Sequence, residues 1–299
     1  MSIIIAKIEN NQCLFLSDTK VSINNGDKSI TGENKLRMSP DQGVLKIHIL
    51  NPKICIAYAG NVELSANIIQ SLIKTKPALF IDTIKHIQNT LILENDPSEF
   101  IVCLVSDINK PSLFKIDKNN YELGSTFWIG EKEAFNEFQS FFLKPENKHK
   151  SILNNSSTSF SQMINNTNID TIGDFIISAS YDTFLNAFQY EIRSEVFGGN
   201  KTTTIKQGKT QKLSEGTVQD GSFIVSNLIS NNPNKQAICL YFAKGKTGYL
   251  YIPISEESKT VKPIKYTNVN REELNNIVLN DYGIKLIGYE INDGIIKFT

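Results

Sequence analysis

The first thirty-six residues constrain the fold more than any other stretch, because they begin with a strong β-hairpin pattern. Short β-rich runs at 3–8 and 12–17 flank Glu9-Asn10-Asn11, a composition typical of a hairpin turn. A three-residue loop would pair Ser2 with Asp18, whereas a two-residue loop would move the pairing by one position. With either loop, these two residues are predicted to lie together at the open end of the hairpin.

A second hairpin is indicated by Asn24-Asn25-Gly26-Asp27, and its return strand is predicted to bring Lys35 back towards the same end. Removal of Met1 would make Ser2 the N-terminal residue, so that a hydroxyl and a free α-amine would stand on one residue. A hydroxyl needs a nearby base to become a good nucleophile, and an α-amine with a pKa of about 8 can supply one. The sequence therefore predicts a hydroxyl, an amine, a carboxylate and an ammonium group at one strand end.

Four short segments resemble, in order, the successive motifs of the proteasome β-type N-terminal nucleophile (Ntn) hydrolases, including the related bacterial ring peptidases. The segments are Ser2-Ile3-Ile4-Ile5-Ala6, Ser17-Asp18-Thr19-Lys20, Asn34-Lys35-Leu36 and Ala59-Gly60-Asn61. Further on, 113–117 followed by 127–130 resembles a later strand pair of that family, in which a glycine opens a helix. The resemblance extends over residues 2–206.

This resemblance implies an α+β fold, the four-layer αββα sandwich of the Ntn hydrolases, and cleavage of peptide bonds. It implies that Ser2 is the nucleophile and that its own α-amine is the general base. Lys35 would be a fixed positive charge that keeps the amine neutral, and Asp18 would hold that lysine charged and oriented. The amide of Gly60 would donate to the oxyanion of the tetrahedral intermediate.

Two departures from the family pattern leave other functions open. Glu131 follows Gly130 where the family usually has a serine, and Ser194 and Phe197 precede a glycine pair where the family has an aspartate and a serine. Those outer residues orient the nucleophile in the family. A non-peptidase amide hydrolase on the same fold, or a catalytically silent ring subunit or scaffold, therefore remains an alternative to a peptidase.

Composition argues against several classes of partner. With 299 residues, 31 acidic and 31 basic side chains, and 40% hydrophobic residues, the chain has no electrostatic reason to bind nucleic acid or a membrane. The apolar start is interrupted by Lys7 and Glu9, so neither a signal peptide nor a membrane span is expected, and a cytoplasmic protein is predicted. The four cysteines are expected to be reduced, buried thiols.

No cofactor or metal site is predicted. The histidines stand apart from other metal-ligating residues, and Gly245-Lys246-Thr247 lacks the upstream glycine of a phosphate-binding loop. The partners expected are a peptide or protein substrate and further copies of the chain, in a homo-oligomer that could be a ring. An ATPase partner is left open.

Two domains are predicted, an Ntn hydrolase domain at 1–207 and a C-terminal extension at 208–299. The extension is expected to contain a hairpin over 238–252 and a short helix over 271–281 capped by Asn270, but its role cannot be read from the sequence. The polar stretch from 144 is expected to be a loop at first, followed by a helix over 169–179.

Overall fold

The computed structural model describes residues 2–20, 43–77, 80–147, 150–167, 169, 171–197, 223–243, 245–292 and 295–298. The described residues form an α+β fold with five α-helices, three larger antiparallel sheets and a two-stranded ribbon. None of the described helices combines the length and the apolar character needed to cross a bilayer.

The helices and strands follow one another in an order that begins with a hairpin and ends with a small ribbon. The strands are β1 (Ile3–Glu9), β2 (Gln12–Asp18), β3 (Ile47–Asn51), β4 (Ile54–Ala59), β5 (Glu99–Val105), β6 (Pro111–Ile116), β7 (Tyr121–Gly124), β8 (Thr126–Gly130), β9 (Ile176–Asp182), β10 (Ala187–Tyr190), β11 (Arg193–Phe197), β12 (Phe223–Ser230), β13 (Ile238–Phe242), β14 (Thr247–Tyr251), β15 (Ile264–Thr267), β16 (Leu286–Ile287), β17 (Tyr289–Asn292) and β18 (Ile295–Phe298). The helices are α1 (Val62–Thr75), α2 (Phe80–Leu93), α3 (Lys132–Phe142), α4 (Ile152–Asn166) and α5 (Arg271–Tyr282).

The sheets differ in strand order. The first sheet has the order β10-β9-β2-β1-β8, and the second sheet has the order β3-β4-β5-β6-β7. The third sheet has the order β11-β12-β13-β14-β15, with β16 paired to β12, and β17 and β18 form the ribbon. Because β1 lies between β2 and β8, the chain start is held on both sides within the first sheet.

Side-chain alternation along the strands sorts the core into layers. Ile4 and Phe15 of the first sheet share one buried core with Ala57 and Cys103 of the second sheet and with Leu240 of the third. On the outer face of the first sheet, residues such as Ile3 and Leu16 pack against α3 and α4. On the outer face of the second sheet, Ile56 and Val102 pack against α1 and α2. The predicted C-terminal hairpin and capped helix are confirmed as β13, β14 and α5.

One part of the predicted secondary structure is wrong. The described residues from 144 to 151 are free of α-helix, as expected, but a helix then begins at Ile152, earlier than predicted, as α4. The helix expected over 169–179 is absent from the described residues of that range, and β9 begins at Ile176. The sequence of α4 is rich in Asn and Ser, which favour turns, but Phe160, Met163 and Ile164 are buried against the first sheet. Packing of this apolar stripe outweighs the weak helix propensity of the polar residues.

Candidate functional site

The hairpin at the chain start has a two-residue turn. Asn10 and Asn11 both adopt left-handed backbone conformations, with φ of 49° and 63°, as a tight hairpin turn requires. Ile4 therefore pairs with Ser17, which is the shifted register of the two alternatives. Because side chains alternate along β1, Ser2 is placed on the same face of the first sheet as Ile4, facing the second sheet.

The carboxylate of Asp18 organises the open end of this hairpin. Its Oδ1 atom accepts hydrogen bonds from the Ile3 amide at 3.0 Å and from the Lys46 ammonium at 2.8 Å. Its Oδ2 atom accepts from the Lys20 amide at 3.0 Å and from the Gly173 amide at 2.9 Å. Asp18 is fully buried, so these four donors replace the water that an exposed carboxylate would bind.

The lysine that pairs with Asp18 in the structure is Lys46, which is not among the residues predicted from the sequence. Lys35 lies outside the described residues, so its predicted position at this strand end is not described. Lys46 is only 3% exposed, and burial lowers the pKa of its ammonium group while the neighbouring Asp18 opposes that effect. The signal that could have identified it is a single lysine within the apolar run Val44-Leu45-Lys46-Ile47.

Ser2 itself is held by the turn between β8 and α3. The Glu131 amide donates to the Ser2 carbonyl oxygen at 2.7 Å. Gly130 has a φ of 97°, and a methyl group placed on it would lie 1.8 Å from the same oxygen, so only glycine fits beside Ser2. Ser2 is 5% exposed, which shows that this end of the hairpin is enclosed by its neighbours.

The residue predicted to bind the oxyanion, Gly60, lies between the end of β4 and the start of α1. Its φ is 129°, and a methyl group on it would lie 2.3 Å from Ser98 Oγ. Ser98 Oγ accepts a hydrogen bond from the Asn61 amide at 2.8 Å, and Asn61 caps α1 by accepting from the Leu64 amide at 3.1 Å. The turn at Gly60 is therefore held by the side chains of Asn61, the next residue in the chain, and Ser98, which directly precedes β5.

The end of β4 reaches the same place as Ser2. The methyl group that would clash with Ser2 if placed on Gly130 would also lie 3.5 Å from Ala59 Cβ, directly before Gly60 in sequence. Three of the four predicted site residues, Ser2, Asp18 and Gly60, therefore lie at one end of the two facing sheets.

The structure places Ser194, one of the two residues that stand where the family has its orienting residues, and it also shows which loop contacts Asp18. Ser194 lies in the third sheet, where its Oγ is 3.2 Å from Ser226 Oγ. The loop before β9 instead reaches the site, because the Gly173 amide binds Asp18 and the Thr171 hydroxyl donates to Glu131 Oε2 at 3.2 Å. Glu131, which follows Gly130 where the family usually has a serine, thus accepts a hydrogen bond from Thr171.

No group of three or more His, Cys, Asp and Glu side chains among the described residues is arranged to hold a metal ion. His48 is buried, its Nε2 lies 3.0 Å from the Leu45 carbonyl oxygen, and burial lowers its pKa to about 4. The site is therefore built from serine, carboxylate, ammonium and backbone groups. No protein-family model and no curated protein matched the sequence of this chain.

Proposed function

We propose that the protein is a proteasome-like N-terminal nucleophile hydrolase that cleaves peptide bonds, with Ser2 as the nucleophile after removal of Met1. In this proposal the first and second sheets and the helix pairs outside them form the four-layer αββα sandwich of that family. The packing of α1 and α2 on one sheet, α3 and α4 on the other, and a shared core between the two sheets supports this assignment.

The observation that carries the proposal is the sharing of Asp18 Oδ1 between the Ile3 amide and the Lys46 ammonium. Ile3 is the residue directly after Ser2, so the shared oxygen brings the positive charge of Lys46 to the chain terminus. In this proposal Lys46 has the role that the family resemblance implies for Lys35. The pair is enclosed, because Asp18 is fully buried and Lys46 is 3% exposed.

The chemistry follows from these groups. The neutral α-amine of Ser2 accepts the hydroxyl proton while Oγ attacks the carbonyl carbon of the scissile peptide bond. The resulting oxyanion accepts a hydrogen bond from the Gly60 amide, a type of contact worth about 3 to 4 kcal/mol in comparable sites. The protonated amine then passes its proton to the leaving nitrogen as the carbon–nitrogen bond breaks. Water repeats the sequence on the acyl-serine ester and restores Ser2.

Electrostatics favour this use of the amine. A positive charge beside the terminus disfavours protonation of the α-amine and stabilises the developing alkoxide. Asp18 keeps Lys46 charged despite its burial, since opposite charges about 4 Å apart attract by roughly 4 kcal/mol at an effective dielectric constant of 20. The partners in this proposal are a peptide or protein substrate and further copies of the chain.

The test begins with the intact mass of the protein, which shows whether Met1 has been removed. The protein is then treated with an electrophile that reacts with the hydroxyl and the α-amine of one residue. We expect one adduct per chain, located at Ser2, and no adduct in Ser2→Ala.

Ser178→Ala is the matched control. Ser178 is a fully buried serine of the same sheet, and its hydroxyl has no hydrogen-bond partner among the described residues. We expect Ser2 of the Ser178→Ala variant to be labelled at the wild-type rate. A processed chain that is not labelled would contradict the proposal and favour a silent scaffold, whereas labelling combined with turnover of small amides but not peptides would favour the non-peptidase alternative.

A further inference from the structure

The C-terminal extension sends one segment back across the second sheet. Residues 252–263 connect β14 to β15, and we call this segment the C-terminal strap. Its side chains Ile254 and Val261 are buried in the core formed by the second sheet, α1 and α2. The strap therefore covers the edge of the second sheet beside β3, directly next to the residue that pairs with Asp18.

Two contacts tie the strap to the backbone of Leu45. The Leu45 amide donates to the Val261 carbonyl oxygen at 2.8 Å. His48 forms the second connection, since its Nδ1 accepts from the Ile254 amide at 3.3 Å and its Nε2 lies 3.0 Å from the Leu45 carbonyl oxygen. An amide can only donate and a carbonyl can only accept, so His48 is held as the neutral tautomer with its proton on Nε2.

The residue held in this way directly precedes the site lysine. Leu45 is fully buried, and its carbonyl oxygen accepts a further hydrogen bond from the Tyr58 hydroxyl at 3.3 Å. The carbonyl oxygen of Lys46 accepts from the Tyr58 amide at 3.2 Å. The backbone from which the Lys46 side chain extends towards Asp18 is thus fixed on one side by β4 and on the other by the strap.

The strap also contacts α1, the helix that begins after Gly60. Gln70 Nε2 donates to the carbonyl oxygens of Ser255 and Glu256 at 3.3 and 3.1 Å. Lys259 Nζ donates to Asn67 Oδ1 at 2.8 Å. The strap therefore contacts both β3, which directly follows Lys46, and α1, which begins just after Gly60.

We propose that the C-terminal strap is a positioning element of the Ser2 site, which fixes Leu45 through His48 and thereby aims the Lys46 ammonium at Asp18. The inference rests on the proposed function for its catalytic meaning, and on the contacts above for its geometry. It assigns a role to a part of the chain that lies beyond the family resemblance. None of the strap residues needs to touch substrate.

The test uses the full-length protein and two variants that loosen the strap at different places. His48→Phe keeps the ring that stacks on Tyr58 but removes both hydrogen bonds. Gln70→Leu keeps the side-chain volume and removes the donors to the strap carbonyls. His48→Gln is the rescue variant, because an amide side chain can both donate and accept.

Two rates are measured on folded protein, the labelling of Ser2 by the electrophile and the reductive methylation of Lys46 followed by mass spectrometry. We expect His48→Phe and Gln70→Leu to slow Ser2 labelling by about 10- to 100-fold, since small displacements of catalytic groups have effects of that size. We expect both variants to speed Lys46 methylation at least tenfold, and His48→Gln to recover part of each rate.

Two controls separate positioning from general loss of stability. Lys76→Ala removes an ion pair with Glu256 at the surface of the strap, where the side chains are 75% and 53% exposed, and should change neither rate. Val278→Ala removes buried volume from α5, far along the chain from Lys46, and should lower stability without exposing that lysine.

The two proposals fail separately. Unchanged Lys46 methylation in both His48→Phe and Gln70→Leu would overturn the strap inference, whatever happens at Ser2. The same conclusion follows if Val278→Ala exposes Lys46 as much as they do. Absence of Ser2 labelling in the processed wild-type protein would instead overturn the proposed function, and the methylation rates would still decide whether the strap positions Lys46.

Discussion

Replacement of Lys46 by methionine tests the central ion pair directly. Methionine keeps most of the length and the apolar stem of lysine but removes the charge. Asp18 would then remain fully buried, with the amides of Ile3, Lys20 and Gly173 as its hydrogen-bond donors. Removal of one partner from a buried ion pair costs about 3 to 5 kcal/mol. Because three amide donors stay in place, we expect a loss near the lower end, about 3 kcal/mol.

The assay is urea unfolding followed by far-ultraviolet circular dichroism, with Ser2 labelling measured on the same samples in the folded state. Lys35→Met is the comparison, because Lys35 is the lysine that the family resemblance implies for this role and it lies outside the described residues. If Lys46 is the site lysine, Lys35 is not needed for the positive charge beside Asp18. We expect Lys35→Met to lose less than about 1 kcal/mol and to label at close to the wild-type rate. Lys46→Met should label at least about 100-fold more slowly, as a charged group lost from a catalytic site commonly does.

A double-mutant cycle with Asp18→Asn completes the test. The double variant with Asp18→Asn and Lys46→Met lacks both charges. Its loss in free energy of unfolding should be smaller than the sum of the losses of the two single variants by about 2 kcal/mol or more. A loss below about 1 kcal/mol in Lys46→Met, or a larger loss of labelling in Lys35→Met, would refute the assignment of Lys46 as the site lysine.

Three further predictions concern stability, pH and thiol reactivity. Gly60→Ala should lower the free energy of unfolding by about 2 kcal/mol or more, because of its φ of 129° and the clash with Ser98, whereas Gly245→Ala, whose nearest neighbour would be 3.8 Å away, should be near neutral in the same urea titration. Burial lowers the pKa of His48 to about 4, so between pH 6.5 and 4 the unfolded chain binds a proton that the folded chain does not. As the pH is lowered through this range, the free energy of unfolding should therefore decrease by at most about 3 kcal/mol. His48→Gln should lack this pH dependence of the free energy of unfolding. An equal pH dependence in wild type and His48→Gln would show that another group is responsible. Burial raises the pKa of the Cys239 thiol to about 12, so an aromatic disulfide reagent should react with it only after unfolding in urea; rapid reaction with folded protein would contradict its burial.

Local patterns were sufficient for the hairpin of β1 and β2, for the hairpin of β13 and β14, and for most of the described helices. The hairpin predicted at Asn24-Asn25-Gly26-Asp27 lies outside the described residues. The two asparagines at 10 and 11 predicted a turn, and only the choice between two loop lengths stayed open. That choice decides which residue lies opposite Ser2, and the structure resolves it in favour of the shorter loop. Asn270 and Glu273 predicted the start of α5, where they form a complete capping box.

The contact between Asp18 and Lys46 was harder to predict for a physical reason. Lys46 lies 28 residues after Asp18, and no local rule in the sequence pairs the two. The contact depends on β3 lying at the edge of the second sheet and on contacts with residues more than 200 positions away. The same limitation applies to Gly173, whose amide reaches Asp18 from a loop 155 residues later in the sequence.

The distance along the chain between His48 and Ile254 has a consequence for synthesis in the cell. Their contact spans 206 residues, and ribosomes add about 5 to 20 residues per second, so roughly 10 to 40 s separate the emergence of the two partners. During that interval the edge of β3 is uncovered and Leu45 has only its partners from the N-terminal half. The hydrogen bonds that the strap makes to Leu45 and His48 therefore form late in synthesis, so the backbone that carries the Lys46 ammonium is completed only after most of the chain has been made.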